Sequence, residues 1–322
     1  MSVGAPPNAP RPVPSRCGGI GLILMYHRVG MLCPDTHHLC VSDTDFREDM
    51  CYLRDHCHVM PLDELVAAAL SGDIRPSSVA VTFDDGYASC LQTVSPILTE
   101  LRILALFYVC TEMLEEPHEF WWDVLERIFY GSASVPVELD LFGDGCWVRP
   151  TSTPTERAAT HWALVDMLYA LRSSARIDIV RRVSRWAGSD LLPRDSHRPM
   201  VADEVRRLAR SPGHMIGAHT IHHVSLPCQS PDAQRLEIEA SKRRLEELTD
   251  APVTSFSYPY GQCSPDLATL VEATGFSTAV SAEAGAVTDD ANRFLLPRIE
   301  IKAGHAPSIN GIIREYTSSS LR

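Results

Sequence analysis

Two adjacent carboxylates, Asp84 and Asp85, interrupt the sequence directly after an apolar run. The run, Val79–Phe83, is apolar or β-branched, which is typical of a buried strand. Because a buried strand cannot hold two charges in its interior, we expect the pair at the strand's carboxyl end, where α/β proteins place their chemistry. Neighbouring side chains on an extended segment point in different directions, so the carboxylates need different roles, such as one metal ligand and one base. The alternative is a plain turn, since Asp-Asp-Gly is a favoured turn sequence.

A second pair of chemically capable side chains, His219 and His223, lies about 135 residues further along the chain. Their i, i+4 spacing predicts two imidazoles that converge on one ion from a helical turn. Such a pair alone is weak evidence, because it is also common for two surface histidines. One carboxylate and two imidazoles, each at the end of an apolar segment, match an open three-ligand site for zinc or a similar divalent ion.

At these residues the chain resembles the polysaccharide deacetylases with a NodB-type domain, a family similar to carbohydrate esterase family 4. Three segments carry the resemblance in order, namely Thr82–Tyr87, Ala218–His223 and Phe256–Gly261. It extends from about Leu22 to Ile301. The first motif is quite specific and the ordered set of three is very specific.

The resemblance implies a division of roles at the site. Asp85, His219 and His223 would hold a divalent cation, most simply Zn²⁺, with Co²⁺, Ni²⁺ or Mn²⁺ as alternatives. Such a cation lowers the pKa of bound water from about 15.7 to roughly 7 and polarises a carbonyl. Asp84 would lie beside it, kept ionised by the cation and free to take a proton as the catalytic base.

Two further roles follow from the same resemblance. His27 ends an apolar strand early in the chain, as in a permuted branch similar to the poly-N-acetylglucosamine deacetylases, and would protonate the leaving amine. A structural histidine at a strand end is the alternative, with His305 as the next candidate acid. The backbone N–H of Tyr260, held by the turn at Pro259, would stabilise the oxyanion.

The sequence departs from the family pattern at the base and the acid. Many members carry an arginine two residues before the proline of the third motif, and here that position is Ser257. Arg298 is our candidate to replace it. The residue after the second metal histidine is Val224 in place of the usual proline, and no clear aspartate partner for His27 is evident.

Substrate selection is expected in a long insertion on a barrel loop, at about 112–198, because loops of this kind carry specificity. Trp121 and Trp122 are candidates to stack on a sugar ring, although they could equally pack the insertion on the barrel. Tyr87 is expected as a wall of the site. The full set of substrate-binding candidates is Tyr87, Trp121, Trp122, Pro259 and Arg298.

Composition excludes some classes of partner. The chain has 322 residues and a formal net charge of -12, so a nucleic-acid partner is not expected. No apolar run approaches the ~20 residues of a membrane span, and the N-terminal segment has no secretory signal core. The ten cysteines are scattered without a C-x-x-C motif, which favours reduced thiols and a cytoplasmic location. The sequence does not indicate an oligomeric state.

The order of elements predicts the fold. Strands and amphipathic helices alternate from Leu22 onwards, as in parallel βαβ units, so we expect a distorted (β/α) barrel of seven or eight strands with a helical insertion. The alternation includes an amphipathic helix expected at 88–101 and a last strand expected at Arg293–Ile299. The expected organisation is a disordered Pro-rich tail at 1–18, a deacetylase barrel at 19–310 and a C-terminal tail at 311–322.

The leading functional hypothesis is a metal-dependent hydrolase that removes the N-acetyl group from an acetamido sugar, which could be a glycoside, a biosynthetic intermediate or an oligosaccharide. One alternative is an amidohydrolase on the same barrel that acts on a formyl or cyclic amide. Another is a non-catalytic sugar-binding relative, although such proteins normally lose a ligand or the base, and this chain keeps all four residues.

Overall fold

A computed structural model describes residues 19–31, 34–116, 118–131, 134–302 and 308–319. The expected tail at 1–18 and the alternative acid His305 lie outside the described residues. Within the described ranges, no helix is both long enough and apolar enough to cross a bilayer.

The strands of the described residues, in chain order, are β1 (Gly21–Tyr26), β2 (Arg28–Val29), β3 (Cys40–Val41), β4 (His58–Val59), β5 (Ser78–Phe83), β6 (Ala105–Val109), β7 (Glu138–Asp140), β8 (Val148–Pro150), β9 (His214–Ala218), β10 (Ser255–Ser257), β11 (Thr278–Val280) and β12 (Ile299–Glu300). The helices are α1 (Asp43–His56), α2 (Leu62–Ser71), α3 (Ser95–Leu101), α4 (Trp121–Tyr130), α5 (Pro154–Tyr169), α6 (Ser173–Ala187), α7 (Ala202–Ala209), α8 (Pro231–Thr249), α9 (Pro265–Ala273) and α10 (Ile309–Ser319).

The central sheet is entirely parallel and has the order β11-β10-β9-β6-β5-β1-β12, with β4 paired to the start of β5. A parallel bridge between Val280 and Leu296 joins the segment that precedes β12 to the far edge of the sheet. The sheet therefore curls into a distorted barrel surrounded by helices. Strands paired in this way bring their carboxyl ends to one rim.

Both faces of the central strands are buried. Every residue of β1 and β5 is buried, as expected for parallel strands covered on two sides. Alternate side chains of β1 enter different clusters: Leu22 and Leu24 pack with Phe46 of α1, whereas Ile23 packs with Leu65 of α2. This two-sided burial fixes the register of β5 and therefore the position of the carboxylates that follow it.

The insertion has an apolar core of its own. Helices α4, α5 and α6 pack around the antiparallel hairpin β7-β8, and their side chains form a cluster separate from those of the barrel. Helix α5 begins with a capping box between Thr153 and Glu156, which satisfies the first N–H groups of the helix. A buried ion pair fixes the insertion to the barrel, with Arg28 Nη1 2.8 Å from Asp123 Oδ1.

Three local expectations differ from the structure. The C-terminal segment expected as a tail forms α10 as far as Ser319, because Ile309, Ile312 and Ile313 bury against the barrel core. Each such burial contributes roughly 1.5–3 kcal/mol. The strand expected at Arg293–Ile299 is reduced to the bridge at Leu296 and the two residues of β12. The helix expected at 88–101 begins as a π-helical segment, Cys90–Val94, before α3.

Candidate active site

The two aspartates lie at the rim of the barrel, where the chain turns sharply. Asp84 continues the pairing of β5, with its N–H donating to Tyr26 O at 2.9 Å. Asp85 and Gly86 both have left-handed backbone, with φ of 70° and 77°. A Cβ at Gly86 would lie 3.1 Å from Val109 Cγ1, so glycine suits both the conformation and the close approach. The turn sends the two buried carboxylates to different partners.

Asp85 contacts both histidines, which follow β9 in the chain. Its Oδ1 lies 3.4 Å from His219 Nε2 and 3.3 Å from His223 Nε2, and all three side chains are buried. The ring of His219 is oriented by its second nitrogen, because Nδ1–H donates to Ser257 O at 2.8 Å. Burial acts to raise the pKa of Asp85, but hydrogen bonds from both imidazoles outweigh it and hold that pKa well below the ordinary value.

These three residues fit a divalent cation. Tetrahedral Zn²⁺ with ligand bonds of about 2.0–2.1 Å separates its ligand atoms by about 3.3–3.4 Å. The measured separations of 3.4 and 3.3 Å agree with that geometry. Ligand Nδ1–H donation to a backbone carbonyl, as at His219, is also the usual way in which a metal-binding imidazole is oriented.

The histidine-bearing segment is a loop, and the helical turn expected at 219–223 was wrong. Thr220 and His223 both have left-handed backbone, with φ of 64° and 49°, and Thr220 Oγ1 accepts from the N–H of His223 at 3.0 Å. A helix cannot contain such residues. The i, i+4 spacing therefore brings the imidazoles together through a tight loop.

A carboxylate that sequence reasoning missed organises this loop. Glu237 of α8 accepts from the N–H groups of Ile221 and His222 at 2.9 and 3.0 Å, and from His222 Nδ1 at 2.6 Å. His222 thus points away from the cation site. The available signal was an acidic residue four positions before Ser241 on the inward face of α8, where a buried charge needs partners.

Asp84 is held by a buried arginine. Arg298 donates to Asp84 Oδ1 at 2.8 Å and to Oδ2 at 2.6 Å, and its remaining N–H groups reach Ser257 Oγ, Thr82 Oγ1 and Ser281 O. Burial acts to raise the pKa of Asp84, but the guanidinium outweighs it, so that pKa is lowered. Arg298, the candidate from the sequence, thus pairs directly with Asp84, and Ser257, at the position of the usual arginine, donates from Oγ to Asp84 Oδ2 at 3.1 Å.

A cavity of about 340 Å³ opens above these groups. His27, Trp121, Trp122 and Tyr260 line it together with both aspartates and both histidines. Within the described residues, His27 Nδ1 has no hydrogen-bond partner, so the missing aspartate noted in the sequence has no substitute there. Tyr260 has left-handed backbone, and its O–H donates to His223 O at 3.3 Å.

The other substrate-binding candidates do not line this cavity within the described chain. The O–H of Tyr87 donates to Asp123 Oδ2 at 2.8 Å, and the five N–H groups of Arg298 are all engaged. Pro259 is buried in its turn. Trp122, although it borders the cavity, is 4% exposed and stacks on Phe120 at 4.4 Å, which is the packing role left open above.

Comparison with known proteins gives a consistent result. The family model for polysaccharide deacetylases matches residues 71–135 and 179–279. The protein YxkH of Bacillus subtilis (strain 168), provisionally named a polysaccharide deacetylase, is 28% identical over 291 residues, which cover 90% of this chain and 74% of YxkH.

Solved structures show the same fold. The deacetylase PplD of Streptococcus pyogenes, in complex with acetate, superposes with a TM-score of 0.59 at 17% identity, covering 92% of this chain and 98% of PplD. IcaB from Ammonifex degensii gives 0.57 at 18% identity, covering 93% of this chain and 97% of IcaB. The expected barrel is thereby confirmed. Since the family model matches just over half of its residues, this chain belongs to the polysaccharide deacetylase family.

Proposed function

We propose that this protein is a metal-dependent hydrolase that removes the N-acetyl group from an acetamido sugar and releases acetate and a free amine. Family membership supports the coarser statement, a hydrolase of acetylated sugars. The substrate would be a glycoside, a biosynthetic intermediate or an oligosaccharide.

One observation carries the proposal: Asp85 lies within 3.4 Å of two imidazole nitrogens, and a second carboxylate beside it has its own arginine. A hydrolase needs a ligand set for a Lewis acid and a separate base. Here the two adjacent aspartates have different partners, so each is free for one of these tasks.

The residues take the following roles in this proposal. Asp85, His219 and His223 hold the cation, which when bound supplies an activated water and polarises the acetyl carbonyl. Asp84, kept ionised by Arg298, accepts a proton from the attacking water.

Two other residues that line the cavity would protonate the leaving amine and stabilise the oxyanion. His27, which lines the cavity and is half-buried, donates a proton to the leaving amine. The backbone N–H of Tyr260 stabilises the developing oxyanion. The left-handed turn at this residue, between Pro259 and Gly261, fixes the direction of that N–H.

We also propose that the catalytic domain begins at residue 19, extends beyond the expected boundary at 310 to include α10, and carries the insertion at about 112–198. Its separate apolar cluster supports this boundary. Buried cysteines of the described barrel such as Cys90 and Cys110 form no disulfide, which supports a cytoplasmic location.

The test is acetate release from a panel of N-acetylated sugars and glycosides, with metal content measured in parallel. We expect a strong chelator to abolish turnover and Zn²⁺ or Co²⁺ to restore it. Asp84→Asn should keep the metal while losing most turnover, and His219→Ala or His223→Ala should lose both. His58→Ala, which changes an exposed histidine on β4, serves as the matched control and should lose neither.

Three results would contradict the proposal. Activity untouched by the chelator would exclude the metal mechanism. Turnover of formyl or cyclic amides without any turnover of acetamido sugars would favour the amidohydrolase alternative. Tight sugar binding without acetate release would indicate a non-catalytic relative.

A further inference from the structure

One helix of the insertion, α5, lies across the cavity. His161, Val165 and Tyr169 are spaced by four residues and therefore share one face of this helix. Val165 and Tyr169 line the cavity, and the stretch from His161 to Tyr169 is about 12 Å long. The family model leaves residues 136–178 unmatched, so this helix lies outside the part of the chain that the model matches.

The N-terminal half of α5 rests on the loop between β2 and β3. The ring of His37, which also lines the cavity, lies 5.6 Å from the ring of His161 and 5.3 Å from that of Trp162. The preceding residue is fixed to the insertion, because Glu126 Oε2 accepts from Thr36 N and Oγ1 at 2.6 and 2.8 Å. The ring contacts of His37 with α5 therefore lie on the side of the barrel formed by β1 and the residues that follow it, which include His27.

The C-terminal end of α5 reaches the opposite side. The ring of Tyr169 lies 4.6 Å from that of Tyr260, at the end of β10. Just beyond, Arg176 of α6 donates from Nη1 to His223 O at 3.1 Å and from Nη2 to Leu171 O at 3.1 Å. The insertion is therefore fixed to both walls of the cavity.

A third side is filled by α4. Trp122 packs 4.8 Å from the ring of His223 and donates from Nε1 to Tyr87 Oη at 2.9 Å, above the ends of β5 and β9. In the sheet order, α4 and α5 together cover the arc from β1 through β5, β6 and β9 to β10. The remaining arc, at β11 and β12, contributes Ala282 and Glu300 to the described lining.

We propose that the enzyme deacetylates a terminal acetamido sugar, in a small glycoside or at the end of a short glycan, and not the internal residues of a polysaccharide. This inference depends on the function proposed above. An internal sugar residue needs the glycan chain to leave the site on two sides. Among the described residues, α4 and α5 leave one arc of the rim uncovered, at β11 and β12. The cavity volume is near the low end of the ~300–1,000 Å³ range of ligand pockets, which suits one sugar with a modest substituent.

The experiment uses zinc-loaded, full-length protein and a series of N-acetylglucosamine oligomers from one to six residues, together with an aryl N-acetylglucosaminide. Tandem mass spectrometry locates each deacetylated residue. We expect a single deacetylated residue at one end of each oligomer, and a kcat/KM for the aryl glycoside at least tenfold above that for any internal position. Internal deacetylation at rates comparable to the terminal residue would overturn the inference and leave the proposed function intact.

A variant that opens the covering helix tests the cause. Tyr169→Ala removes the contact with Tyr260 and should raise the ratio of internal to terminal deacetylation at least tenfold. Asp166→Ala, at an exposed position of α5, is the matched control and should leave that ratio unchanged. An equal fall of both activities in Tyr169→Ala would contradict the covering role. The absence of acetate from every sugar in the series would overturn the proposed function and this inference together.

Discussion

The pairing of Arg298 with Asp84 makes a quantitative prediction about stability. The guanidinium is 1% exposed and uses all five N–H groups, two of them on Asp84. Asp84 is 3% exposed. Arg298→Met removes the counter-charge and leaves a buried carboxylate without a cation, which costs about 3–5 kcal/mol of unfolding free energy.

The double variant separates this cost from a general loss of packing. When both charges are removed, no unpaired ion remains, and replacing a buried ion pair by neutral groups is often close to neutral. Asp84→Asn combined with Arg298→Met should therefore be more stable than Arg298→Met alone. From the two hydrogen bonds and the burial of both partners, we expect a coupling energy of about 2–4 kcal/mol.

The assay is urea unfolding of the wild type, the two single variants and the double variant, with chelator in every sample so that bound metal makes no contribution. The pair Arg47–Glu100 is the matched control, because it has the same two-bond geometry, at 2.9 and 2.9 Å, on the surface. The cycle Arg47→Met with Glu100→Gln should give a coupling far smaller than that of the buried pair.

Two outcomes would refute this reasoning. The first is a coupling at Arg298 and Asp84 no larger than that of the surface pair. The second is a double variant less stable than Arg298→Met alone, which would show that Asp84 is held by groups other than the guanidinium.

Three further predictions follow from contacts around the site. Glu237→Gln should weaken Zn²⁺ affinity about 10–100-fold, because the carboxylate orients the loop that carries the ligands; isothermal titration with Zn²⁺ measures it, and an unchanged affinity would contradict it. Arg176→Met should have a similar but smaller effect through the lost bond to His223 O, with Arg181→Met on the same helix as control. Burial acts to raise the pKa of Glu126, but hydrogen bonds, including those from Thr36, lower it to about 2. A lowered carboxyl pKa contributes stability above the unfolded pKa of about 4.3 that is lost as the pH falls towards 2, so Glu126→Gln should flatten the stability profile over that range by about 1–2 kcal/mol after allowance for screening. Urea midpoints from pH 2 to 7 test this, and parallel profiles would contradict it.

Much of the fold was predictable because its signals are local. Uninterrupted apolar runs such as Val79–Phe83 identify buried parallel strands, and the amphipathic spacing between them identifies the covering helices. The strand expected at Arg293–Ile299 failed because most of its backbone bonds go to turns and to a single bridge, which composition does not reveal.

The site, like the fold, was predictable only where its signals are local. The presence of two aspartates and two histidines at strand ends was readable, since charge after an apolar run is a local signal. The loop conformation of 219–223 was not, because it depends on Glu237 of a helix that follows in the sequence. The cover formed by α5 depends on ring contacts between His37 and Trp162, about 125 residues apart, which no local pattern reports.

The pairing of Asp84 with Arg298, which directly precedes β12, affects the order in which the site forms during synthesis. The partner of Asp84 lies 214 residues further along the chain, so a ribosome adding roughly 5–20 residues per second reaches it about 10–40 s later. During that interval the nascent chain contains a carboxylate that is buried in the folded protein but still lacks its counter-charge. The ion pair that holds Asp84 therefore forms only after Arg298 and the adjoining β12 have been synthesised, so the N-terminal half alone cannot complete the site.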